Sequence, residues 1–137
     1  MNEISSVFEM YKTAVFQKDI EGLLTLFDEN VRVFDMWAWS YDGLLSWREM
    51  VTGWFNSLGE DRDVVTFDDI RIQEFGEMAV ASAFARFAAV SAKGEELRFL
   101  QNRLTWVMQR KAGAWKIVHE HTSGPVDGET LKVRLQR

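Results

Sequence analysis

Cysteine is absent from this 137-residue chain, proline occurs once and histidine twice. Without cysteine there is no disulfide, no thiol nucleophile and no cysteine-based zinc site. The two histidines, His119 and His121, have the spacing of a metal pair, but they come without a clear third ligand. No cofactor is called for. No uninterrupted apolar run approaches the ~20 residues that span a bilayer. Glu3, Glu9 and Asp19 fall among the first apolar positions, which excludes a signal peptide. The expectation is a soluble, cytoplasmic protein with no membrane partner. Lysine and arginine are outnumbered, 16 against 21 acidic residues, for a formal net charge of -5. That balance repels phosphate backbones, so nucleic acid is not an expected partner.

Aromatic residues are abundant instead, with six tryptophans and ten phenylalanines. Such a content fills a core, lines a pocket or covers an interface. Residues 1–137 have the length of a single domain, enough to bury roughly two-thirds of the unfolded surface.

Ile4, Val7, Phe8, Tyr11, Ala14 and Val15 recur at helical spacing over residues 4–17. Asp19 is placed to cap a short second helix that buries Leu23, Leu24 and Phe27. Asp28-Glu29-Asn30 reads as a turn, and Val31 to Trp37 as a first strand. An aromatic loop, residues 38–43, precedes a third helix from Leu44 to Leu58, with Leu44, Trp47, Met50, Val51, Trp54 and Phe55 on one face. Gly59 ends it. Four extended stretches follow, Val64 to Phe75, Met78 to Ala92, Leu97 to Arg110 and Trp115 to Ser123. Gly76-Glu77, Lys93-Gly94 and Ala112-Gly113 supply the hairpin turns. A mixed-charge, exposed tail begins at Gly124. Helices grouped before a run of hairpins indicate an α+β fold.

A two-residue turn at Ala112-Gly113 pairs Lys111 with Ala114. Continued alternation then sets Trp106 opposite His119 and Leu104 opposite His121. That face carries Leu104, Trp106, Met108, Trp115, Ile117, His119 and His121, and leaves Glu120 and Thr122 on the other. Across the longer loop, Phe84 pairs with Leu104 and Arg86 with Asn102. A mostly apolar face thus gathers Arg86, Asn102, Trp106, His119 and His121, the composition of a ligand pocket. The opposite face of the same strand, Ala79, Ala81, Ala83, Ala85, Phe87 and Ala89, suits either a second copy of the sheet or a helix of the same chain.

The closing segment from Trp115 to Gly124, WKIVHEHTSG, resembles the last strand of SnoaL-like domains of the nuclear transport factor 2-like type. It is more similar still to the association domain of calcium/calmodulin-dependent protein kinase II. Ala83-Phe84-Ala85-Arg86-Phe87 resembles another strand of that family, with Arg86 on a pocket-lining arginine. Phe34-Asp35 resembles a Phe-acid pair ending its first strand. The resemblance implies a cone-shaped curved antiparallel sheet wrapped around the N-terminal helices, dimerised through the sheet face, with a pocket inside. Trp106 and Thr122 stand where the association domain carries further arginines. Catalytic and purely binding members share this architecture.

The expected pocket residues follow from both readings. Asp35, His119, His121 and Arg86 are the candidate catalytic groups, and Trp37, Trp39, Tyr41, Trp54, Asn102 and Trp106 the candidate ligand contacts. A carboxylate among tryptophans has a raised pKa suited to proton abstraction beside a carbonyl, although Asp35 serves equally as a buried partner of Arg86 or a histidine. The histidines read as acid/base groups or as structural hydrogen-bonding groups. Trp47 and Trp54, at helical spacing, read more readily as core. The functional expectation is a homodimeric small-molecule pocket protein for a small hydrophobic carbonyl compound, either a binder or a cofactor-free isomerase, cyclase or dehydratase. The alternative is a non-catalytic association domain.

Overall fold

The computed structural model describes residues 3–37 and 39–136. Ala38, at the start of the expected aromatic loop, lies outside them, as do the three terminal residues of the expected 1–137 domain. Helix α1 spans Ile4–Gln17 and buries Ile4, Val7, Phe8, Tyr11, Ala14 and Val15, the stripe its periodicity predicts. It ends at Lys18 in the left-handed region, φ 54°, whose ammonium donates to the Asp61 carbonyl at 3.0 Å. Helix α2, Ile20–Leu24, begins where the Asp19 carboxylate accepts the Gly22 N–H at 3.0 Å. Strand β1, Phe27–Phe34, starts earlier than Val31 because Asp28, Glu29 and Asn30 continue the strand rather than turning. A three-residue strand β2, Ser40–Asp42, doubles back onto the end of β1. Helix α3, Leu44–Ser57, buries Trp47, Val51 and Phe55.

Strands β3 (Arg62–Phe75), β4 (Met78–Val90), β5 (Glu96–Lys111) and β6 (Ala114–Ser123) form the expected meander. Its turns place Gly76, Gly94 and Gly113 at positive φ, which glycine adopts without the strain of a Cβ. The six strands make one curved, unclosed sheet in the order β2-β1-β6-β5-β4-β3, antiparallel except where β1 runs parallel to β6. This α+β arrangement sets the helices against one face of the sheet. Phe8 stacks 4.4 Å from Trp106 and 4.9 Å from Phe67, Phe27 meets Trp47 at 5.8 Å, and Trp54 meets Phe87 at 5.9 Å.

The inner face differs from the expected one by a single residue on two strands. In β4 and β5 the partners are Ala83–Leu104, Ala85–Asn102 and Arg86–Gln101, so the alanines point inward and Arg86 outward. Ala79, Ala81 and Ala83 share the core with α1. Small side chains there leave room for the helix and for the Trp106 ring, so this is not the surface that meets a second copy. In β5 and β6 the Lys111–Ala114 pairing holds, but Val107 faces His119 and Met108 faces Ile117. Val118 is the extra residue of a β-bulge. Beyond the bulge every side chain changes face. Trp106 therefore pairs with Glu120 and Leu104 with Thr122.

The tail is exposed yet folded. Val126 and Val133 form a bridge, and the Asp127 carboxylate accepts the Glu129 and Thr130 N–H groups at 2.9 and 3.1 Å and the Arg134 guanidinium at 2.6 Å. Gln101 donates its N–H to the Leu135 carbonyl at 2.7 Å, covering the part of β5 that extends past β6. A Cβ at Gly124 would come within 2.7 Å of Val133 and 2.9 Å of the Arg134 carbonyl, so this close approach requires glycine.

Candidate functional site

Between α1, α3 and the inner face lies a cavity of about 320 Å³. Its walls are mostly aromatic: Tyr41 from β2, Trp47 and Trp54 from α3, Phe87 from β4, and Trp37 at the opening. Trp37 is 61 % exposed, so its ring edges the mouth, whereas Trp47 is 2 % exposed and forms an inner wall. Three carboxyl groups reach this apolar space, Asp35, Asp63 and Glu120, and no Lys, Arg or His lines it among the described residues.

Glu120 is the most sequestered of the three at 2 % exposure. Its Oε1 accepts the indole N–H of Trp106 at 2.8 Å. Burial, reinforced by the negative charge of Asp35, pushes its carboxyl up to about 7 against the pull of that one donor. Asp35 stands at the end of β1, half-buried. It accepts the Trp37 N–H at 3.3 Å and the Thr122 hydroxyl at 3.4 Å, and burial raises its pKa as well. Tyr11, on α1, is held well above its usual pKa by burial and by the carboxylates Glu120, Asp35 and Asp63, so its hydroxyl stays protonated. Asp63, at the start of β3, accepts the Trp54 indole N–H at 2.8 Å.

Two residues of the cavity wall each carry a buried polar atom with no partner among the described residues. The indole nitrogen of Trp47 is a buried donor with nothing to donate to, and Oδ1 of Asn102 is a buried acceptor with no donor. The Asn102 amide nitrogen meets only the Met36 sulfur, at 3.4 Å. Buried polar groups are ordinarily satisfied, so these two atoms are exceptions within the wall.

Of the residues expected from sequence, Asp35, Trp37, Tyr41, Trp54 and Asn102 come together in this cavity. Trp106 is fully buried behind it, holding Glu120 rather than touching the space. Trp39 is 75 % exposed outside it. Arg86 lies on the outer face, paired through both guanidinium nitrogens with Glu96 at 3.0 and 3.1 Å and stacked 4.1 Å from the Phe99 ring. His119 and His121 are also on the outer face. His119 Nδ1 meets the Arg32 carbonyl at 2.7 Å, and Phe34 packs edge-on to both rings at 5.1 and 5.4 Å. Their assignment to the pocket rested on a register without the Val118 bulge, and the bulge replaces them with Glu120 and Thr122. The sequence did hold one signal for Glu120, since a buried tryptophan N–H requires an acceptor.

A second, more open depression of about 430 Å³ lies between α2, β1 and the β5–β6 turn. Its basic residues are engaged, Arg48 with Glu21, Lys111 with Asp28, and Lys116 donating to the Thr25 carbonyl. Among the described residues no helix is long and apolar enough to cross a membrane, and no three histidines, aspartates or glutamates are grouped to hold a metal ion.

Comparison with solved structures finds the same fold widely. A nuclear transport factor 2-like protein of unknown function from Pseudomonas putida superposes with a TM-score of 0.83 at 23 % identity, over 96 % of this chain and 91 % of that one. Aln2 from a Streptomyces species gives 0.79 at 13 % identity, over 88 % and 87 %. A Xanthomonas campestris protein described as a calcium/calmodulin-dependent protein kinase II association domain gives 0.70 at 15 % identity, over 90 % and 88 %. No curated protein matches the sequence. The SnoaL-like domain profile matches residues 4–127, and the chain therefore belongs to the SnoaL-like domain family.

Proposed function

We propose that this chain is a small-molecule pocket protein that acts as a cofactor-free isomerase, cyclase or dehydratase, moving a proton on a largely apolar carbonyl compound. One observation carries the reading: two carboxyl groups with different surroundings, Asp35 and Glu120, share an aromatic cavity. Asp35, nearer the opening and held by two donors, is the base that takes a proton from the carbon beside the carbonyl. Glu120, sealed and titrating near neutrality, is the acid that returns one. The Tyr11 hydroxyl, which stays protonated, is the donor available to a developing enolate oxygen.

The test is deuterium uptake at the α-carbon of 2-tetralone in heavy water, followed by NMR. The protein is expected to accelerate exchange, and Asp35→Asn and Glu120→Gln each to reduce that acceleration by roughly 100-fold or more. Exchange no faster than in buffer for 2-tetralone and related ring ketones contradicts the enzymatic reading.

A second reading, a non-catalytic association domain, is favoured by the outer face of the sheet. Phe75, Met78 and Val80 are exposed there side by side, 64 %, 38 % and 38 %. The proposed occupant is a second copy packing through this face, making a homodimer; the alanine face, turned inward, is not available for it. Val80→Glu is expected to weaken self-association by about tenfold or more, since a charge buried without a partner costs well over 1.4 kcal/mol. Native mass spectrometry over a dilution series reads the result, and an unchanged dimer places the interface elsewhere.

A further inference from the structure

The lining of the cavity is uneven in charge. Asp35, Asp63 and Glu120 reach it, and no basic side chain answers them from within. The basic side chains expected there lie on the outer face: Arg86 is taken by Glu96, and both histidines pack on Phe34. Burying carboxylates without a counter-charge is unfavourable, and that penalty is relieved by a positively charged occupant. The remaining walls suit such an occupant. Tyr41, Trp54, Phe87 and the mouth residue Trp37 present ring systems, and the faces of such rings attract organic cations.

A separate observation points the same way. Oδ1 of Asn102, a residue 6 % exposed, is a buried acceptor without a donor. An ammonium group has N–H bonds to give and none to receive, which is what this oxygen and the carboxylates need. The aromatic rings of the walls favour an organic cation.

We infer that the compound bound in this cavity carries a positively charged amine on a flat apolar body, held in the field of the three acidic side chains and against the aromatic walls. The inference rests on the reading of the cavity as a small-molecule site and narrows its substrate class from carbonyl compounds generally to amine-bearing ones.

Three probes share one ring body and carry a cationic, a neutral or an anionic group on it: 2-aminotetralin, 2-tetralol and tetralin-2-carboxylate. Their binding to the intact chain is followed by quenching of tryptophan fluorescence at pH 8, where the amine is charged. The amine is expected to bind about tenfold or more tighter than the alcohol, and the carboxylate weakest. Asp35→Asn and Glu120→Gln, each nearly isosteric, are expected to move the amine-to-alcohol ratio toward one. Alcohol or carboxylate binding as tight as the amine overturns the inference and leaves the pocket reading standing. An amine preference unchanged in both variants also overturns it, since the charge is then read elsewhere. Binding of none of the three overturns both.

Discussion

Trp106→Ala is expected to destabilise the fold by about 3–5 kcal/mol, the range for removing a fully buried large aromatic. The indole is 0 % exposed and is the centre of an aromatic cluster, with Phe8 at 4.4 Å, Tyr11 at 5.6 Å and Phe67 at 5.9 Å. The cluster joins α1 to the sheet. The alanines opposite, Ala79, Ala81 and Ala83, cannot fill the space the ring leaves, because they have no side chain beyond Cβ. The indole also gives Glu120 its one side-chain hydrogen-bond donor among the described residues. Trp106→Phe separates the two roles. It keeps most of the ring volume, so it should cost less than the alanine variant, but it removes the donor and should raise the Glu120 pKa above its starting value. Urea unfolding of the two variants reads the first effect. A loss below about 1 kcal/mol for Trp106→Ala would mean that the cluster is not the core of the fold.

The second large effect is a fall in stability as pH rises through the range where most proteins are most stable. Glu120 titrates near 7 in the folded chain and near 4.5 when unfolded. Below about pH 4.5 both states hold the proton and the group contributes nothing. Between these values the unfolded chain gives up its proton first, so folding becomes progressively less favourable. Above 7 the full penalty, about 3 kcal/mol, is present. Asp35, raised by burial, acts in the same direction at the acidic end. Asp127 acts oppositely. Its carboxyl is held down to about 2 by Arg134 and nearby N–H groups, and its contribution is lost as pH falls through that value. Stability should therefore peak on the acidic side of neutrality. Glu120→Gln keeps an oxygen for the Trp106 N–H and has no proton to lose, so its urea midpoint should stay nearly level from pH 5 to 8 while that of the parent falls. The same variant should lose proton-transfer activity, giving a protein that is more stable at pH 8 and inactive.

Much of the fold is legible in the sequence because it depends on local periodicity. Ile4 through Val15 mark α1, Asp19 caps α2, and glycines at 76, 94 and 113 set the hairpins, so element order and fold class follow from short-range rules. Which face of a strand looks inward depends on something less local. The Val118 bulge has no glycine or proline to announce it, yet it exchanges His119 and His121 for Glu120 and Thr122 in the pocket. A comparable one-residue difference between β4 and β5 moves Arg86 from the pocket to an ion pair with Glu96. Asp35 and Tyr41 are insensitive to those registers because both sit on the β1–β2 side of the sheet, and both line the cavity. Trp47 and Trp54 show a different limit: helical spacing marks them as inward, but a wall that is core on one side can be ligand contact on the other.

The central claim is that Glu120 is a sealed pocket carboxyl poised near neutrality, and carbon-13 NMR of the side-chain carboxyls tests it most directly. With glutamate labelled at Cδ, one resonance should titrate with a midpoint near 7 and disappear in Glu120→Gln. If every glutamate carboxyl titrates near 4.5, Glu120 is solvated or ion-paired, and the proposed proton transfer and the pH-dependent stability are both wrong.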